Sequence, residues 1–131
     1  TVTGGQITLQ RAASVVSAGL PYTMRADLVK FDAGSQNGTS MGKTQRINGV
    51  VFQLFETGPG LWYGSPDNMD EMAFRSSLNP MDEPVMLFSG YSEFLPWPEG
   101  YEIGARVRLE HRLPTPCTIV AMMPQLSTYD R

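Results

Sequence analysis

The chain has 131 residues, a formal net charge of −3 and a pI near 5.0. That length suits one ordinary domain with a real core, and the mild acidity supplies no global excess of Lys or Arg for gripping nucleic-acid phosphates. A single cysteine and a single histidine exclude an internal disulfide framework and a structural zinc site, which needs about four such ligands. No apolar run approaches the roughly 20 residues of a membrane span. With 13 Gly, 10 Pro and only 18% charged residues, the composition suits short strands and tight turns better than helices.

In chain order, Ile7 to Leu9 is a short strand candidate. Ala12 to Ala18 holds Val15 and Val16 beside Ser and Gly, which favours extended chain over a helical turn. Tyr22 to Leu28 alternates apolar and polar residues, the mark of a half-buried strand. Asn48 to Phe55 is apolar on both faces, with Val50, Phe52 and Leu54 on one and Val51 and Phe55 on the other, so a central strand is expected. Leu61 to Tyr63, Met72 to Arg75 and Val85 to Phe88 are shorter candidates. The longest alternation runs from Tyr101 to Leu113 and predicts one long strand with a wet, charged even-numbered face. Cys117 to Met123 predicts a last apolar strand that stops at Pro124. Turn-forming stretches separate these runs at 32–38, 57–60, 64–68, 78–84 and 96–100. Residues 1–131 therefore read as a single all-β domain, a β-sandwich or closed barrel of about seven to nine mostly antiparallel strands.

The stretch "NGTSMGKT" at 37–44 resembles a phosphate loop, but that motif needs Gly where Asn37 stands and a helix after the Lys. Lys43 and Thr44 instead run into a strand pattern, so a polar inter-strand loop is expected. Asn37-Gly38-Thr39 also matches a glycosylation sequon, a three-residue pattern common by chance. Asp67, Asp70 and Glu71, with Asp82 and Glu83, lack the alternate spacing of a calcium loop and read as acidic turns. His111 and Cys117 could form a nucleophile pair, yet both fall in apolar runs that suit a satisfied buried His and an inert Cys. No catalytic residue, cofactor or metal site is expected from these patterns.

The aromatic residues point elsewhere. In a strand, neighbours face opposite sides, so one of Trp62 and Tyr63 is expected in the core and the other outward. Trp97 lies in the Pro-rich stretch "YSEFLPWPEGY", where core filling competes with an exposed role. Trp62, Tyr63 and Trp97 are the expected partner-contact residues, as protein anchors or as stacking platforms for sugar.

Five stretches taken together, "GLPYT" at 19–23, "GTSMGKTQRI" at 38–47, "MAFRSS" at 72–77, "LFSG" at 87–90 and "LPTPCTIVAMMPQLSTYDR" at 113–131, carry a resemblance. The chain resembles the C-terminal region of large structural proteins of tailed bacteriophages and prophages, of the tail-nozzle or packaged-DNA-stabilisation type. The resemblance implies a β-rich subunit assembled as a ring around the DNA exit channel. The partners it implies are other phage tail subunits, with the full-length protein a homo-oligomer. The location it implies is the virion, after synthesis in the bacterial cytoplasm. A first residue of Thr rather than Met agrees with a fragment of a larger subunit. The expectation is thus a non-enzymatic structural or interaction module, without specific nucleic-acid or membrane binding. The alternative is a carbohydrate-binding domain on a phage tail, touching a host-surface glycan through the same aromatics. A third class is an envelope hydrolase built around His111 and an acidic partner. The aromatic stretch "YSEFLPWPEGY" departs from the shorter polar hairpin expected after the "LFSG" element.

Overall fold

The computed structural model describes residues 2–20, 22–32 and 38–129. Asn37 of the sequon and most of the 32–38 turn lie outside the described residues. Among the described residues there are eleven strands and no helix. In chain order they are β1 (Val2–Thr3), β2 (Gln6–Ile7), β3 (Met24–Leu28), β4 (Thr44–Thr57), β5 (Leu61–Gly64) and β6 (Met69–Glu71). There follow β7 (Phe88–Tyr91), β8 (Leu95–Pro96), β9 (Glu102–Ile103), β10 (Val107–His111) and β11 (Ile119–Tyr129). Every pairing is antiparallel, so the domain is all-β and sandwich-like, and its sheets do not close into a barrel. Four of the strands are only two residues long, which accounts for the excess over the expected number.

Strand β4 organises one sheet. It pairs with β11 along one edge and with β7, β8 and β9 in turn along the other. The second sheet has the order β3-β10-β5-β6, and β1-β2 form a separate hairpin. Inside β4 the buried positions change parity. Gln45 and Ile47 face the core, and after them Val50, Phe52 and Leu54 do. A register shift opposite Gln125/Leu126 leaves Asn48 as the extra residue, and a β-bulge of this kind switches which face the following side chains occupy. Asn48 then spends its amide on Ser127, its Nδ2 donating to Oγ at 2.7 Å. The opposite face of β4 is more open than the sequence suggests, with Phe55 exposed. The buried set joins β4 to Leu61 and Tyr63 of β5 and to Val107 and Leu109 of β10.

Several expectations change. Of the strand expected at Val85 to Phe88 only Phe88 is paired, since β7 runs Phe88–Tyr91. The single strand expected from Tyr101 to Leu113 is two strands in different sheets. Ile103 pairs with Thr44, whereas Val107 pairs with Leu28. Between them Gly104 turns the chain at φ +74, in the left-handed region where glycine carries no Cβ penalty. The strand expected to stop at Pro124 continues to Tyr129. Strand β11 lies at a sheet edge, where a missing N–H breaks no ladder bond if it faces outward. The strand expected at Met72 to Arg75 is not formed; those residues lie in no strand, and β6 occupies Met69–Glu71 just before them. A tight turn sets where β6 begins. Ser65 Oγ accepts from the N–H groups of Asp67 and Asn68, at 3.2 and 3.1 Å. At Gly64 a Cβ would stand 2.2 Å from the Asn68 carbonyl oxygen, so only glycine permits the closure.

Candidate functional site

The outer face of the four-stranded sheet gathers the functional side chains. In β10 the odd residues Val107, Leu109 and His111 face the core, which aims Arg108 and Glu110 outward. The register then builds one continuous row across four strands: Arg25, Glu110, Trp62 and Glu71. The next row holds Asp27, Arg108, Gly64 and Met69. Oppositely charged residues directly across an antiparallel ladder lie close enough to bond.

They do bond. Arg108 donates Nε and Nη2 to the two Asp27 oxygens at 2.5 and 3.0 Å, a forked pair. Glu110 takes Arg25 Nε on Oε1 at 3.1 Å, and Arg112 Nε and Nη2 on Oε2 at 3.0 and 2.8 Å. These arginines cover it, so Glu110 is 5% exposed although it faces outward. The Arg112 hydrogen bonds, followed by Arg25, hold its carboxyl below the usual value, against the opposing effect of burial. The Arg108 hydrogen bond does the same for Asp27. Arg112 also lies over the Trp62 ring, its Cζ 4.2 Å from the centroid, a cation–π contact. Arg106 reaches Asp67 at 3.4 Å on the rim. Trp62, Arg25, Arg112 and Asn68 help line a hollow of about 490 Å³, within the ordinary size range of ligand sites.

The three expected contact aromatics separate. Tyr63 is 4% exposed and Trp97 is 8% exposed, so both fill the core and present no contact surface. Their rings pack at 6.0 Å, Phe52 meets Tyr63 edge-on at 5.9 Å, and the Tyr63 hydroxyl donates to the Pro96 carbonyl at 3.3 Å. Burial raises the Tyr63 hydroxyl's pKa. Trp62 alone of the three is half-buried on the outer face.

His111 is buried, and Thr115 Oγ1 lies 3.1 Å from its Nε2. Thr115 gives its one hydroxyl proton to the Pro59 carbonyl at 2.7 Å, which leaves its oxygen to accept from an Nε2–H. Burial lowers the His111 pKa and raises that of Cys117. Both shifts favour the neutral forms, which suits the satisfied His and inert Cys of the sequence reading. At 40–44 the chain makes a turn, Lys43 N donating to Ser40 O at 3.2 Å, and enters β4 at Thr44.

Arg25, Arg108, Glu110 and Arg112 were not singled out from the sequence. The signal for Arg108, Glu110 and Arg112 was the charged even-numbered face of the 101–113 run, and for Arg25 the polar face of the 22–28 run, each of which alone reads as a solvated surface. No protein-family model matches the chain, and no curated protein is similar to it. The phage-tail resemblance therefore rests on the quoted stretches alone.

Proposed function

We propose that this domain is a non-enzymatic structural and interaction module of a bacteriophage tail, docking onto sibling subunits or a neighbouring tail component within the virion. The observation that carries the interaction reading is the state of two arms, residues 2–20 and 73–87. Phe74 packs against the core, but most of their large apolar side chains stand in solvent, with Leu78 92%, Met86 86% and Met81 83% exposed, alongside Val15, Val16 and Leu20. Large apolar side chains this exposed mark surfaces that another molecule covers. The phage setting rests on the sequence resemblance. Light scattering of the chain over a concentration series tests the interaction reading. Growth of mass with concentration is expected, and a monomer throughout, with no capture of a tail component, sinks it.

A glycan-binding module is the second reading, favoured by the outward Trp62. It ranks lower because Arg112 already covers one face of that indole. A glycan array with wild type and Trp62→Ala decides it, since binding lost in the variant promotes this reading.

A further inference from the structure

The charge of the chain is divided between two regions. Residues 76–105 hold Asp82, Glu83, Glu93, Glu99 and Glu102 and no Lys or Arg. Arg25, Arg108 and Arg112 lie on the outer face of the four-stranded sheet, with Arg106 paired to Asp67 at its rim. The hollow is lined by Arg25, Arg108 and Arg112 against Asp67 and Glu110, and Asp27 beside it pairs with Arg108, so the groups left facing out belong to Arg25 and Arg112.

We propose that this arginine cleft receives the acidic Pro80–Pro84 loop of a second copy of the chain, in a head-to-tail contact. The inference rests on the interaction-module reading and names its partner and surface.

The donors left open decide the ligand class. A guanidinium carries five N–H donors and no acceptor. The contact between Arg25 and Glu110 uses Nε, and the Arg25 side chain is 55% exposed, while that of Arg112 is 41% exposed. Glu110 already accepts three charged hydrogen bonds. What faces outward is therefore donor-rich, and it suits a carboxylate in forked geometry. Stacking on Trp62 holds the Arg112 plane in place, which lowers the entropy cost of meeting that carboxylate. The same stacking covers the indole face that a sugar ring would need, so an acidic side chain fits better than a saccharide.

The loop has the complementary build. Arg75 donates Nη1 to the Met81 carbonyl at 3.2 Å and Nη2 to the Glu83 carbonyl at 2.5 Å, which fixes the backbone. Prolines at 80 and 84 bracket it and restrict φ. The Asp82 side chain is 81% exposed and bonds Arg11, itself 75% exposed. Exposed pairs of this kind contribute about 0–1 kcal/mol, so Asp82 exchanges Arg11 for another cation at little cost. Cleft and loop are different surfaces, and a contact between unlike surfaces repeats head to tail into rings or open chains.

Charge exchange tests this on the full chain by sedimentation velocity. The loop variant is Asp82→Lys with Glu83→Lys, and the cleft variant is Arg25→Glu, with Arg25→Gln as a gentler form. Each alone should lose the self-association of the wild type, and an equimolar mixture of the two charge-reversed variants should associate again with alternating members, because the loop variant keeps an intact cleft and the cleft variant an intact loop. A synthetic peptide covering 78–86 provides a measurement independent of variant folding. Its binding to wild type should weaken by about tenfold or more from low to high salt, and disappear with Asp82→Asn and Glu83→Gln in the peptide. Wild-type self-association that neither variant alters sinks the loop-in-cleft contact and leaves the interaction reading standing. A wild type that neither self-associates nor binds peptide or tail component sinks both. Binding of an acidic polysaccharide by the cleft, with no response to the peptide, overturns the proposal in favour of a glycan site.

Discussion

Residues 47–63 and residues 78–87 are both rich in large apolar side chains, and the fold treats them in opposite ways. In the first, Ile47, Val50, Phe52, Leu54 and Leu61 are buried; in the second, Leu78, Met81 and Met86 stand almost wholly in solvent. The difference lies in the backbone. Strands β4 and β5 satisfy their N–H and C=O groups in ladders, and the pleat then delivers alternate side chains to the core. The 78–87 segment carries Pro80 and Pro84 and joins no ladder until β7 begins at Phe88. Apolar content makes a core only where strand pairing aims it inward. Elsewhere it is left in solvent.

The sharpest break of this contrast is a matched pair of truncations. Phe52→Ala should cost about 3–5 kcal/mol in denaturant unfolding, whereas Leu78→Ala should change stability by less than about 0.5 kcal/mol. Equal effects at the two positions would erase the distinction between the regions. Next in size, Glu110→Gln should cost about 1–2 kcal/mol, because it strips charge from a carboxylate holding two arginines that are themselves partly solvated.

The pH profile extends the same test. The folded Glu110 carboxyl lies below its ordinary 4.5, so its contribution is complete above that pH and disappears as pH falls through the lowered value. His111 lies below 6.5, and stability from keeping it neutral is lost as pH falls from 6.5 toward its folded value. Thermal melts should therefore weaken on acidification, and Glu110→Gln should remove the lower part of the decline. Glu102 has the opposite sign. Its hydrogen bond with Glu99, then burial and the Glu99 charge, raise its pKa, so its contribution is present below 4.5 and lost as pH rises through the raised value. Glu102→Gln should raise unfolding stability slightly at neutral pH, by under about 1 kcal/mol, and do nothing in acid. Smallest of all on stability is Leu78→Ser with Met81→Ser and Met86→Ser. It should leave unfolding within about 0.5 kcal/mol of wild type while reducing self-association seen by light scattering.

Much of the strand layout was legible because period two reports a half-buried ladder directly. Met24–Leu28, the interior of β4 and Leu61–Gly64 fall where alternation and apolar runs placed them. One misplacement came from the local turn at 64–68, and two came from single residues whose effect depends on distant partners. Gly104 ends a pattern that stays in phase, because the next stretch pairs with β3 and β5 in the other sheet. Pro124 does not end β11, because only one side of that strand carries a ladder. Of the candidate site, the Trp62/Tyr63 opposition was readable from adjacency. The burial of Trp97 was not, since it depends on Tyr63, thirty-four positions earlier in the chain.

The order of amino acids determined by itself that this chain is pleated rather than helical, and which side chains within a strand share a face, because both follow from local geometry that repeats every two residues. Only the tertiary structure decided which faces meet. The row of Arg25, Glu110 and Trp62 joins residues eighty-five and forty-eight positions apart, and its register is set by turns and bulges elsewhere in the sheet. A charged strand face thereby becomes an arginine-lined cleft, because cross-strand neighbours are chosen by long-range pairing and not by sequence adjacency.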